Sequence, residues 1–73
     1  MTYSAIILGQ NIRRARKAKG LTQWQVCEAL GCCLSAFQHW ESGKQEIGSY
    51  YLNELADCLD CSTDYLLGRS TKK

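Results

Sequence analysis

Five cysteines and a single histidine are the side chains of this 73-residue chain with the widest chemical range. Cys58-x-x-Cys61, the adjacent Cys32-Cys33 and His39 offer the sulfur and imidazole donors that tetrahedral zinc takes. Each also has a plainer account, because free cysteine packs as a small hydrophobe and disulfides rarely persist in a cytosolic protein. Catalysis is not expected: His39 has no convincing partner, and no nucleophile, base and orienter come together in the sequence. The remaining chemistry is hydrogen bonding. Gln23, Ser35, Gln38, His39, Ser42 and Lys44 fall within Thr22 to Lys44, and such side chains recognise bases and phosphates without breaking a bond.

The elements that would position them follow from spacing. Val26 and Leu30 lie four apart, on one face of a short helix; Phe37 and Trp40 lie three apart, on one face of a second. Gly31 between them can take the left-handed conformation that lets two helices meet steeply. Small Cys27 lets the second pack close against the first. This is the pattern of a helix-turn-helix, whose second helix lies in the DNA major groove.

Ahead of it, Ser4 to Lys19 reads as a helix with an apolar stripe of Ile6 or Ile7, Leu8, Ile12, Ala15 and Ala18, stopped by Gly20. Arg16 falls close to that stripe, where a lone cation would be costly. Thr22 with Gln25 three residues on predicts a capping box for a helix to about Ala29. The next helix is expected from Cys33 or Leu34 to Trp40, with Glu41 to Lys44 breaking the pattern. A fourth, Ser49 to Leu59, buries Leu52, Leu55, Ala56 and Leu59 and ends at Asp60. Ser62 or Thr63 caps a last helix, Asp64 to Leu67, stopped by Gly68. The expectation is an all-α orthogonal bundle of five helices, a single domain over 1–73 with its core at about 4–68 and a tail at 69–73.

Charge separates along the chain. Residues 1–45 carry six basic and two acidic side chains, residues 46–68 five acidic and no basic ones, and the tail adds three cations, for a net +2. The basic half contains the helix-turn-helix, as a phosphate-facing surface requires. No stretch approaches the roughly 20 apolar residues of a membrane span. Thr2 to Leu8 lacks the basic start and long apolar core of a signal peptide, so a cytoplasmic protein is expected.

Four segments in register, I-R-x-x-R-x-x-x-G-L-T-Q (Ile12 to Gln23), A-L-G (Ala29 to Gly31), W-E-S-G-K (Trp40 to Lys44) and D-Y-L-L-G (Asp64 to Gly68), resemble the Cro/repressor-type helix-turn-helix domains of the XRE family. The match runs from about Leu8 to Arg69. The resemblance implies a lambda-repressor-like fold and a sequence-specific transcriptional regulator, a repressor, of bacterial or phage origin. It implies that Gln23 bonds a phosphate, that Leu34, Ser35 and His39 face base edges with Gln38 beside them, and that Ser42 and Lys44 lie against the backbone. Cys33 occupies the place of a Ser or Thr cap, and Leu34 one where Arg or Gln is common. Leu34 would touch thymine methyls instead of making bidentate bonds. Arg16 and Glu41 resemble a buried structural pair, and Cys27, Cys32, Cys58 and Cys61 fall at small apolar core positions.

The implied partner is double-stranded DNA, bound by a homodimer through helices 4 and 5 near Tyr50, Leu66 and Leu67. No dimerisation segment follows Gly68, so free dimers are expected to be weak. No metal, cofactor, membrane or small-molecule substrate is expected. The aromatics Trp24, Tyr50 and Tyr51 read as half-buried packing or as a partner surface. With Leu34 they favour the alternative function, a protein-interaction module (antitoxin-like or adaptor) on the same fold.

Overall fold

The computed structural model describes residues 4–72, and side-chain caps at Ser4, Thr22 and Ser62 start three of the helices. The helices are α1 (Ala5–Ala18), α2 (Gln23–Leu30), α3 (Leu34–Ser42), α4 (Ser49–Cys58) and α5 (Thr63–Leu67), with no strand among the described residues. The first residues of the stretch read for a leader, Thr2 and Tyr3, and the last tail cation, Lys73, lie outside the described residues.

Ser4 Oγ accepts from the Ile7 amide at 3.2 Å to start α1. Thr22 and Gln25 form the expected capping box of α2, and Ser62 rather than Thr63 caps α5. One end departs clearly from expectation: α3 continues two residues past Trp40, through Glu41 and Ser42, until Gly43 turns left-handed at φ 81°. Ser49 opens the first turn of α4 behind Gly48 at the N-cap, and Asp60 follows the helix with φ 57°.

The core gathers Leu8, Ile12 and Ala15 of α1, Val26 and Cys27 of α2, Phe37 and Trp40 of α3, and Leu55, Ala56, Leu59, Tyr65 and Leu66 beyond. Leu52, expected in it, is half-buried at its edge. The α1 stripe is shorter than expected, because Ile6 and Ile7 are 59% and 48% exposed and Ala18 is exposed. Both isoleucines lie beside helix ends instead: a Cβ at Gly43 would meet Ile6, and one at Gly68 would meet Ile7. Leu66 also departs from expectation. It is 0% exposed, so it belongs to the core and not to a dimer surface.

Two α1 residues join the layers. A Cβ at Gly9 would collide with the backbone carbonyls of Trp40 and Glu41, so the missing side chain is what lets α1 lie against α3. Asn11 Nδ2 donates to the carbonyls of Tyr65 and Leu66, each at 3.2 Å, tying α1 to the end of α5. No helix among the described residues is long and apolar enough to cross a membrane.

Candidate nucleic-acid interface

The turn between α2 and α3 is closed by backbone bonds that only its glycine conformation permits. Gly31 has φ 71°, and its amide and that of Cys32 both donate to the Cys27 carbonyl, at 2.8 and 3.1 Å. Cys27 is buried beneath the turn and its thiol points at the Cys33 carbonyl, 3.8 Å away. Burial, with the Cys32 thiol beside it, pushes the Cys27 thiol up to about 12. It is therefore protonated at neutral pH and acts as packing. Cys32, Cys58 and Cys61 are half-buried and Cys33 is exposed. Among the described residues no three His, Cys, Asp or Glu side chains gather as a metal would need.

α3 has two unlike faces. Phe37 and Trp40 point inward with their rings in edge contact at 6.1 Å, and Trp40 also packs on Tyr51 at 5.2 Å. Leu34, Ser35 and Gln38 are exposed on the other side, with His39 half-buried next to them. Cys33 is the N-cap but makes no capping bond. At the end of the helix and not past it, Ser42 is exposed, as is Lys44 in the turn beyond; the Ser42 hydroxyl and the Lys44 amide both donate to the His39 carbonyl.

A polar chain runs from the interior to this face. Arg16 Nε donates to Glu41 Oε2 at 2.7 Å and Arg16 Nη2 to Oε1 at 3.3 Å, while Nη1 donates to the Leu21 carbonyl at 2.9 Å. Their side chains are only 10% and 5% exposed. A buried pair survives desolvation when its polar atoms are hydrogen-bonded, and among the described residues no buried side-chain nitrogen or oxygen lacks a partner. Glu41 Oε1 also accepts from Gln23 Nε2 at 2.8 Å, and Gln23 Oε1 accepts from Gln38 Nε2 at 3.3 Å. The extension of α3 through Glu41 is what delivers this carboxylate to Arg16.

The structure thus brings Arg16, Gln23, Gln38 and Glu41 into one network and leaves Leu34 and Ser35 outside it. Gln23 takes no part in the capping box; Gln25 fills that role. Sequence reasoning missed two residues here. Gly9 had a signal, since a glycine inside a helix costs roughly 1 kcal/mol against alanine and implies a close approach. Asn11 interrupts the apolar stripe between Leu8 and Ile12, which was also readable. Trp24, read as half-buried packing or a partner surface, is 61% exposed, in an open groove of about 620 Å³ whose lining includes Arg13, Gly20 and Leu34.

The family described as helix-turn-helix domain matches residues 7–66, from the first turn of α1 almost to the end of α5. The chain belongs to that helix-turn-helix family. It is 35% identical over 68 residues to the uncharacterized HTH-type transcriptional regulator YqaE of Bacillus subtilis, covering 92% of this chain and 59% of that protein. The P22 c2 repressor, solved in complex with a synthetic operator, superposes with a TM-score of 0.81 at 31% identity over 88% of this chain and 97% of that one. SinR, the master regulator for biofilm formation, solved in complex with DNA, gives 0.76 at 31% identity over 82% and 97%. The chain spans about half the length of the curated relatives it matches. The Cro/repressor-type resemblance and the lambda-repressor-like fold read from the sequence both hold. In this helix-turn-helix, α2 and α3 are the two defining helices, and α1, α4 and α5 support them.

Proposed function

We propose that this chain is a DNA-binding transcriptional regulator of the repressor kind, working in the cytoplasm of a bacterium or as a phage product, with α3 as its recognition helix. The observation that carries the reading is the polarity of α3: an aromatic face seated in the core and an opposite face exposed. The family is one of DNA-binding regulators rather than enzymes, and the P22 c2 and SinR likenesses are to DNA complexes. In this reading the whole of 1–73 acts as one DNA-binding domain.

Leu34, Ser35 and His39 face base edges from the major groove, with Gln38 alongside. Cys33, at the helix start, enters with them. Leu34 cannot make the bidentate bonds that read guanine or adenine, so it contacts thymine methyls. Gln23 keeps one Nε2 hydrogen free for a phosphate after donating the other to Glu41. Ser42 and Lys44 hold the backbone on the far side. The Arg16–Glu41 pair does not touch DNA; it fixes α3 and Gln23 relative to one another.

One recognition helix spans only a few base pairs, so two copies bind half-sites about one DNA turn apart. The surface of α4 and α5 around exposed Tyr50 and half-buried Leu67 is the contact between copies.

Titration of a labelled duplex across a salt series tests the reading. Log affinity should fall linearly with log salt, at about 0.9 per phosphate neutralised. Binding absent at every salt concentration would transfer the exposed face to the alternative, a protein-interaction module.

A further inference from the structure

The chain has two tryptophans, and they live in opposite environments. Trp40 is 7% exposed and packs between Phe37 and Tyr51. Trp24 is 61% exposed and takes part in none of the ring contacts found among the described residues. It is the second residue of α2, so its position is fixed by a capped helix. The groove it lines is lined also by Gln23, Leu34 and Arg13. An indole left in water at such a place loses the gain of burial that its size offers.

We propose that Trp24 packs on the deoxyribose–phosphate backbone flanking the half-site read by α3, in the groove lined by Arg13 and Leu34. The proposal rests on the DNA-binding reading above and adds to it a residue and a kind of contact. The backbone of DNA alternates apolar sugar faces with phosphate acceptors. An indole matches that alternation with an apolar plane and one Nε1–H donor. The Arg13 guanidinium supplies the opposite charge beside it. The surface is continuous with the base-reading face through Leu34 and with the phosphate contact through Gln23, so DNA seated on α3 has its backbone beside this groove.

Such a contact is largely apolar and releases few counterions. Trp24→Ala should therefore weaken binding about tenfold, equal to roughly 1.4 kcal/mol, at each salt concentration and on every duplex. The slope of log affinity against log salt should stay that of the parent, whereas loss of a phosphate-binding cation lowers it by about 0.9. Trp24→Phe should recover part of the loss. Because Trp24 is exposed, the thermal melt of either variant should match the parent.

The deciding experiment is acrylamide quenching of tryptophan emission in the intact chain, free and saturated with duplex DNA, with saturation set by anisotropy of a labelled duplex. Trp40 is shielded in both states, so the quenchable emission is that of Trp24. Loss of that quenchable part on saturation supports the contact. Saturation with emission still freely quenched overturns it, as does Trp24→Ala binding with parental affinity. A loss confined to particular sequences would also overturn it, in favour of contact with bases. Absence of any anisotropy change fails the DNA-binding reading itself, a separate outcome.

Discussion

At its C-terminal end α3 is held by Glu41, paired with buried Arg16, and by Gly43, whose left-handed turn lies against Ile6. At its N-terminal end Cys33 supplies no cap bond, and Leu34 and Ser35 stand exposed. One end is fixed by charge and close packing, the other left open to a partner. This division suits a reading helix. The fixed end sets where the helix points, and the open end can change its side chains without disturbing the core. The polar chain through Gln23 and Gln38 ties the fixed end to the start of α2, which is thus positioned by the same pair that anchors α3.

Breaking the fixed end should cost most. Glu41→Ala strands Arg16 in a largely buried place and should lower stability by about 3–5 kcal/mol. In a domain of this size each kcal/mol moves the thermal midpoint by roughly 4–8 °C. A parental melt without DNA would mean that the pair does not anchor the helix. Gly9→Ala pushes a methyl into the carbonyls of Trp40 and Glu41, and should cost about 1–3 kcal/mol by separating α1 from α3, read as a lower denaturation midpoint. An unchanged midpoint would show that the helices can part without loss.

These two sites also show what could be read from the chain alone. The five helices were legible because most of their ends carry chemistry: Thr22 and Ser62 as caps, and Gly20, Gly31 and Gly68 in left-handed turns. The last turn of α3 was not, because Glu41-Ser42-Gly43 has the polar look of a loop. Only the distant Arg16 makes a helical Glu41 favourable. In α5, adjacent Leu66 and Leu67 could not be told apart by periodicity in five residues, and packing alone buries Leu66. Type and spacing place Ile6 or Ile7 inward, yet both are exposed, because α1 begins beyond the core. For Trp24, residue type leaves half-buried packing and a partner surface both open, and the groove beside it is made by three separate elements.

Changes at the interface sharpen the comparison by smaller amounts. Gln23→Ala and Lys44→Ala should each weaken binding to all duplexes by about tenfold or more, the loss of one hydrogen bond to a charged group, with Lys44→Ala also reducing the salt slope by about 0.9. Unchanged affinity for both would refute the docking. His39→Ala should shift sequence preference more than non-specific affinity, measured on a panel of duplexes, and uniform weakening would place it on the backbone. Least of all, Cys33→Ser should stabilise the chain by about 0.5–1 kcal/mol, since serine supplies the cap that α3 lacks. A destabilised melt would mean that the thiol packs in a way its exposure denies.

The most direct measurement is selection from a pool of randomised duplex DNA at one near-physiological salt concentration. If α3 reads bases from two copies of the chain, a two-fold symmetric sequence should be enriched, with half-sites about one helical turn apart. Binding with no enriched sequence, vanishing as salt rises, would reduce the interaction to backbone attraction and contradict the assignment of α3 as a recognition helix.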